Sequence, residues 1–253
     1  MRRIRIYHQN NLSSGLTVML DMNASHHLLQ VLRKKTGERF IIFNGKGGEF
    51  DAVLVSSNKK TACVEIGAFH ERKTESELKI HLGQALSRTE RMDYAIQKSV
   101  ELGVFEITPL ITEYCQVQLS KERFEKRVAH WRGIAISAAE QSGRCVVPTV
   151  NQPISFEQWV KINNDMKIIC CPRHKTEQKC ASEGANNLQN SLLTIGAEGG
   201  FSDREINLAL QENFILMPLG PRILRTETAT VVALTILQER YGDFKSSSHS
   251  VDV

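Results

Sequence analysis

The feature that most restricts how this chain can fold is a change of hydrophobic period near residue 72. Before it, apolar residues come in short runs broken by turn residues. After it, strand-like runs alternate with segments whose apolar residues recur every three or four positions. Between them lies His70-Glu71-Arg72-Lys73-Thr74-Glu75-Ser76-Glu77, charged and without apolar periodicity, which marks a linker. The expectation is a small, mostly β domain over residues 1–72, an α/β domain over 73–245 and a disordered tail over 246–253, where Ser246-Ser247-Ser248-His249-Ser250 offers nothing to bury.

A chain of 253 residues with 41% hydrophobic content can bury roughly three quarters of its unfolded surface without disulfides or metal. Its longest apolar stretches, Ile107 to Ile111 and Val231 to Leu237, fall far short of the ~20 residues a spanning helix needs, which excludes an integral membrane protein of that kind. The start, Met1-Arg2-Arg3-Ile4-Arg5-Ile6-Tyr7-His8, is basic but has no apolar core behind it, so a cytoplasmic address is expected. The six cysteines are then reduced thiols, mostly serving as small buried residues. Cys170, Cys171, His174 and Cys180 are the one cluster with zinc-ligand chemistry. Adjacent residues on a strand point to opposite faces, so Cys170 and Cys171 cannot readily share an ion, and no metal is expected.

Charge is unevenly spread. Residues 1–72 hold 11 Lys+Arg against 6 Asp+Glu, whereas residues 73–253 hold 21 against 22. A basic module ahead of a neutral one suits a protein whose first part grips phosphates and whose second part does chemistry, although a solvated charged face would give the same count.

Within the first part, Leu16 to Leu20, Phe40 to Phe43, Glu49 to Ser56 and Ala62 to Ile66 read as strands, with Asn44-Gly45-Lys46-Gly47-Gly48 as a hairpin-like turn. One helix is predicted over Ser25 to Lys35, capped by Ser25 or Asn23, with Leu28, Leu29, Val31 and Leu32 on its apolar face. The candidate RNA-facing patch is Arg2, Arg3 and Arg5 on a first strand, with His26, His27, Arg33, Lys34 and Lys35. The plainer reading of the last three is that they complement the helix C-terminus.

In the second part, strands are predicted at Leu78 to Leu86, Phe105 to Ile111, Lys167 to Cys171, Leu192 to Gly196 and Phe214 to Leu219. Helices are predicted at Thr89 to Leu102, Lys121 to Ser142, Ser202 to Gln211 with a Ser202/Glu205 capping box, and Thr226 to Tyr241. Gly103, Gly143 and Gly242 follow three of them. This alternation implies a mostly parallel sheet covered on both faces.

Two glycine-bearing loops leave the C-terminal ends of predicted strands, where open α/β sheets bind ligands. The first, Ile195-Gly196-Ala197-Glu198-Gly199-Gly200-Phe201-Ser202, enters a capped helix and lets backbone approach a ligand closely. It is neither GxGxxG nor a P-loop, and alone it reads as a turn as readily as a site. The second, Met217-Pro218-Leu219-Gly220-Pro221-Arg222-Ile223-Leu224-Arg225-Thr226-Glu227-Thr228-Ala229, is stiffened by two prolines and carries two arginines and Glu227 at a helix entrance. Arg222 and Arg225 can meet a phosphate, a carboxylate or a nucleobase. The plainer alternatives are an Arg225–Glu227 pair, or Glu227 favouring the helix start.

Together these residues resemble the bacterial 16S ribosomal RNA uridine-N3 methyltransferase family (RsmE type), of the SPOUT superfamily. The likeness spans essentially the whole chain. It rests on His26-His27 with Val31-Leu32-Arg33 and Gly37; on Arg91-Met92-Asp93 with Gln97-Lys98 and Glu101-Leu102-Gly103; on Ala139-Glu140-Gln141-Ser142-Gly143-Arg144; and on the two loops, Ile195 to Phe201 and Leu219 to Ala229. Two departures are Ala197, where proline is usual, which should loosen the loop slightly, and Ser87-Arg88, where a lysine-containing turn is common.

The resemblance implies a PUA-like β-barrel that helps hold RNA, followed by an α/β SPOUT domain with a mostly parallel sheet and a trefoil knot, a topology that periodicity could not predict. It also implies S-adenosyl-L-methionine as cofactor and a homodimer whose active site borrows residues from the second subunit. The substrate would be 16S rRNA, at a uridine near the decoding centre, as naked RNA or within the small ribosomal subunit. Carried over by motif, the cofactor pocket is Gly196, Glu198, Gly199, Gly200, Leu219, Gly220, Ile223, Leu224, Arg225 and Thr226, with Cys170-Cys171-Pro172 as a third wall. A uridine N3 is a poor nucleophile until its proton leaves, so the site must stabilise a uridinate. Arg225, or else Arg222, would stabilise that anion, with Glu227 or Glu198 orienting it; a carboxylate could instead act as base. The other function classes compatible with the residues are a different SPOUT RNA methyltransferase and a non-catalytic RNA-binding protein of ribosome assembly.

Overall fold

The computed structural model describes residues 4–58, 60–115, 121–171 and 188–244. The chain forms two compact units, Met1–Glu75 with Ile136–Val147, and Ser76–Ala135 with Pro148–Val253. Arg2, Arg3, Pro172, His174, Cys180 and the tail from 246 lie outside the described residues.

The first unit is built on a five-stranded sheet, β1 (Arg5–Tyr7), β2 (Thr17–Met19), β3 (Arg39–Phe43), β4 (Glu49–Ser57) and β5 (Ala62–His70), in the order β1-β3-β4-β5-β2. Only β1 and β3 pair in parallel. The period-2 pattern of β4 and β5 buries Phe50, Ala52 and Leu54 with Val64 and Ile66, against Ile6, Phe40, Ile42 and Leu28. The β3–β4 turn needs glycine at Gly45, Gly47 and Gly48, whose φ values are 77°, 85° and 73°. β5 runs on to His70, so the linker starts later than the polar run suggests. Phe69 packs tilted against Phe50, ring centroids 5.0 Å apart, while half exposed, and His70 Nε2 lies 2.9 Å from Asp51 Oδ2; cross-strand pairing outweighs polarity there.

The predicted helix over Ser25 to Lys35 is shorter and starts earlier. Helix α1 (Met22–His26) is capped by Asp21, whose Oδ1 accepts from the N–H groups of Asn23 and Ala24 at 2.8 and 2.9 Å. Ser25 is no cap: it is buried, donates to the Leu20 carbonyl and accepts from Ala62 N–H, both at 3.1 Å. From His27 to Val31 the turns widen to π geometry, Leu32 N–H donating to the His27 carbonyl five residues back. Arg33 then takes φ 52°, so Arg33 to Lys35 lie beyond the helix end and Lys34 pairs with Glu38 at 3.0 Å.

Arg5 also departs from expectation, because it does not face solvent or RNA. Its side chain is 8% exposed, ion-paired with the equally buried Glu49, donating to the Arg144 carbonyl at 2.8 Å and lying over the Phe43 ring. The strand's alternation turns it inward, and Glu49 makes that burial tolerable. Residues 136–147 complete this polar interior. Arg144 pairs with Glu75, and Glu140 Oε1 accepts from Tyr7 N–H at 2.8 Å.

The second unit carries β6 (Lys79–Ala85), α2 (Thr89–Glu101), β7 (Glu106–Ile111), α3 (Lys121–Ser142), β8 (Thr149–Val150), β9 (Ile154–Ser155), α4 (Phe156–Trp159), β10 (Met166–Cys170), β11 (Asn190–Ile195), α5 (Asp203–Gln211), β12 (Ile215–Met217) and α6 (Thr226–Tyr241). The last turns of α3 belong to the first unit. The seven-stranded sheet runs β12-β10-β11-β6-β7-β8, with β9 also pairing β7, and every pair is parallel. Its central strands are buried along most of their length, Leu82 to Ala85 in β6 and Ser191 to Ile195 in β11, as strands covered on both faces are. Gly103 and Gly143 close α2 and α3 at φ 80° and 84°.

β12 stops at Met217 rather than Leu219, since Pro218 has no N–H to extend the ladder. β8, β9 and α4 carry no periodic signal because each is four residues or shorter, although Ser155 and Gln158 form a capping box at α4. They matter to the core. Trp159 is fully buried, donates from Nε1 to Thr194 Oγ1 at 2.8 Å, and occupies the space a side chain at Gly83 would need, 2.5 Å from an added Cβ.

Glu140 makes the first unit sensitive to pH. Burial raises its carboxyl from 4.5 to about 7, against the lowering by the Tyr7 N–H and Arg5. A carboxyl raised on folding favours the folded state at low pH, and that contribution is lost as pH climbs from the unfolded value through the folded one. The loss is up to about 3 kcal/mol. Glu140→Gln, which keeps an acceptor for Tyr7, should flatten the fall in stability between pH 5 and 8, measured by urea midpoints; an unchanged slope would assign the pH dependence to other groups.

Candidate active site

Strands β6, β10, β11 and β12 all run the same way, so the loops after Ala85, Cys170, Ile195 and Met217 leave from one end of the sheet. The loop after β11 is a tight turn. Gly200 N–H donates to the Ala197 carbonyl at 2.9 Å, and Gly200 has φ 71°. Gly196 sits against the Gly200 backbone, which an added Cβ would meet at 3.1 Å, and a Cβ on Gly199 would lie 2.9 Å from Tyr114 Cβ. These glycines are therefore required by close approach and by backbone conformation. The capping box holds the exit: Ser202 Oγ accepts from Glu205 N–H at 3.2 Å, and Glu205 Oε2 accepts from Ser202 N–H at 2.9 Å. Glu205 Oε1 accepts from Glu113 N–H at 2.9 Å, tying α5 to the end of β7.

In the loop after β12, Gly220 takes φ 92° with open space around it, and Arg222, Ile223 and Arg225 are exposed while Leu219 and Leu224 are half-buried. Arg222 and Arg225 form no ion pair among the described residues, so the simple Arg225–Glu227 pair is not formed. Arg225 is the N-cap residue of α6 without a side-chain cap bond. Glu227 lies in the first turn of α6, and its Oε2 is buried without a hydrogen-bond partner. A buried carboxylate oxygen with no hydrogen-bond partner is a group that a ligand donor would satisfy.

The two loops are fastened together beneath the surface. Thr226 Oγ1 donates to the Gly196 carbonyl at 2.6 Å and accepts from Gln84 Nε2 at 2.9 Å, and the Thr230 hydroxyl lies 2.6 Å from Gln84 Oε1. Gln84 and Thr230 are fully buried. The clasp thus joins the end of β6, the end of β11 and the start of α6. Thr226 was expected in a cofactor wall; its hydroxyl is committed to the clasp, leaving only its backbone to face a ligand. Glu198 is likewise engaged, pairing with Arg91 Nη1 at 3.1 Å and accepting from Arg88 N–H at 3.3 Å. Gln84 and Thr230 carry no pattern of their own at a strand end or in a helix, and Arg91 stood out in the sequence only as part of the family likeness, without a role.

Cys170 and Cys171 are buried, and burial, with Cys171 beside it, raises the Cys170 thiol far above its ordinary range. In the first unit, His26, Arg33 and Lys35 are exposed and His27 is half-buried, its pKa lowered by burial and then by His26. A trough of ≈ 810 Å³ there is lined by Lys34, Arg39, Asp51, Glu65 and Gly67 among others. It lacks the converging strand ends, close glycines and orphaned carboxylate of the second unit.

Two family models match the chain. An RNA methyltransferase PUA domain matches residues 20–67, and an RNA methyltransferase domain matches residues 74–238. The ribosomal RNA small subunit methyltransferase E of Buchnera aphidicola (from Acyrthosiphon pisum) is 39% identical over 95% of this chain and 95% of its own length. The chain belongs to the ribosomal RNA small subunit methyltransferase E family. Solved members extend the likeness to three dimensions. The methyltransferase E of Neisseria gonorrhoeae bound to S-adenosyl methionine matches with TM-score 0.88 and 37% identity over 96% of this chain and all of that one. A methyltransferase of Legionella pneumophila with bound cofactor SAM reaches 0.92 at 43% identity, over 96% of this chain and all of that one. The parallel sheet and the separate small β domain are those of this methyltransferase family.

Thr226→Val keeps the shape of the clasp and removes its hydroxyl, leaving the Gly196 carbonyl and Gln84 Nε2 buried without it. A loss of about 1–3 kcal/mol is expected, measured by urea unfolding, with Thr226→Ser restoring most of it. Equal stability of the Val and Ser variants would remove the clasp from the account.

Proposed function

We propose that this chain transfers a methyl group from S-adenosyl-L-methionine to N3 of a uridine in 16S rRNA, the uridine near the decoding centre that the resemblance implies. The observation that carries the proposal is the pair of clasped loops, which match the family's two signature segments, in a chain close to relatives crystallised with S-adenosyl methionine. The residues present suit that cofactor. The backbone at Gly196, Gly199 and Gly200 is bare of side chains, Gly220 opens the second loop, and the Glu227 oxygen awaits a donor. Gly196, Gly199, Gly200, Leu219, Gly220, Ile223, Leu224 and the backbone of Arg225 and Thr226 would hold it, with Glu198 shaping the first loop.

When bound, the cofactor supplies a methyl group on a cationic sulfonium. The chain's own task is to make the acceptor nucleophilic. The N3 proton must leave, and the negative charge then spreads over N3 and the flanking carbonyl oxygens of the base. Arg225, or Arg222 three residues away, is free to stabilise that charge; Glu227 orients the arginine or takes the proton. The target base leaves its stack to reach the loops. Residues 1–72 serve RNA binding through His26, His27, Arg33, Lys34 and Lys35, with Arg2 and Arg3 ahead of them, while residues 73–245 carry the chemistry.

A homodimer completes the site in this reading. Ile223, at the tip of the second loop, is 90% exposed, a place for apolar cover from a second copy. No described helix is long and apolar enough to cross a membrane, and a cytoplasmic location fits a ribosomal substrate.

Mass spectrometry of 16S rRNA nucleosides from a strain lacking the protein should show loss of 3-methyluridine, regained on complementation. An unchanged 3-methyluridine level with another modification lost would keep the enzyme class and overturn the target. Arg225→Ala should lower turnover by 10²-fold or more, on the scale of removing one charge-stabilising donor, with cofactor binding retained. Near-normal turnover would pass the role to Arg222.

A further inference from the structure

The ion pair between Arg91 and Glu198 joins the first loop to α2, and its placement is specific. Arg88 is the N-cap residue of α2 and makes no side-chain cap bond of its own. Glu198 comes from a different element, the loop after β11, and does the capping instead. Its Oε1 accepts from Arg88 N–H at 3.3 Å and from Arg91 Nη1, one turn into the helix, at 3.1 Å. A carboxylate at a helix N-terminus is favoured by the helix dipole, and here a guanidinium from the same helix holds it. The neighbouring residue, Gly199, is seated on Tyr114, and Gly196 is fixed by Thr226. The loop is therefore tied at one end by the Thr226 hydroxyl and in its middle by Glu198.

Resting on the proposed function, we propose that Arg91 and Glu198 are a positioning pair for the methyl-donor loop. Glu198 fixes the height of residues 197–200 above the end of the sheet by docking on α2, and Arg91 acts through Glu198 without touching the reacting atoms. One consequence distinguishes this from Glu198 as a ligand or base. Its charge is already matched by Arg91, so it is not available to orient Arg225. Each partner is about one-third exposed, so the tie is firm enough to bias the loop but not a buried pair whose loss would unfold the unit.

Calorimetric titration of the purified full-length protein with S-adenosylmethionine tests this without requiring activity. Arg91→Ala and Glu198→Ala should each weaken binding roughly five- to tenfold, and the double variant should be no worse than either alone, because both remove one tie. Arg91→Lys should recover most of the loss, as should Glu198→Asp to a smaller degree. Amide hydrogen exchange should quicken in residues 197–200, and steady-state assays should place the change in KM for the cofactor with kcat little altered. Binding by Arg91→Ala equal to that of the unsubstituted protein, or additive losses in the double variant, would overturn the pairing. A loss in Glu198→Ala that no Arg91 variant shares would make Glu198 a direct ligand. If the unsubstituted protein binds no S-adenosylmethionine, the proposed function fails first; normal binding there with unaffected variants defeats the positioning pair alone.

Discussion

The hydroxyl of Thr226 is the contact on which the second unit's functional end depends. It donates to the Gly196 carbonyl and accepts from Gln84, while Thr230 completes the amide from the next turn of α6. A carbonyl at the end of a strand has lost its ladder partner and must be satisfied. Here the donor comes from a residue thirty positions on, so the same bond that repairs the end of β11 also seats α6. Both glycine loops take their separation from it. The geometry of the two loops is thus set by a buried polar network of few members, whose value lies in being fully satisfied.

The first unit solves a different problem. Its interior holds Arg5, Glu49, Arg144 and Glu140 beside an apolar core, contributed in part by a segment from the far end of α3. Burying charges gains little by itself, but once buried they demand partners, and a wrong register would strand them. The residues Glu140 and Arg144, which stood out in the family likeness, are explained here by structure: one accepts the Tyr7 N–H and the other pairs with Glu75. The cost is a carboxyl that titrates near neutrality.

Much of the architecture was legible in the sequence. The alternation after residue 78 located α2, α3 and the inner strands through the spacing of their apolar residues, α6 showed as a long apolar stretch between Thr226 and Gly242, and Ser202 with Glu205 announced α5. What escaped was short or tertiary. β8, β9 and α4 are too brief for a period, and the π-turn after α1 depends on packing rather than composition. Arg5 read as a surface cation because a sequence gives alternation but not the partner waiting at Glu49. In the site, the glycines and arginines were visible as types in a loop, whereas Gln84, Thr230 and Arg91 became meaningful only when folding brought distant elements together. The family likeness supplied the chemistry; the residues alone left it open.

The clasp has a consequence for how the molecule is made. Its bond from Gln84 to Thr226 spans 142 residues, and the chain on the C-terminal side must leave the ribosome before it can form. Loop closure over such a separation is entropically expensive and is repaid only once β6 and β11 already stand side by side. The clasped loop end of the sheet is accordingly among the last features to mature, and a nascent or truncated chain ending before α6 lacks the donor that seals the end of β11. If the proposed function holds, uptake of the cofactor then reports that the chain has been made through α6 and closed.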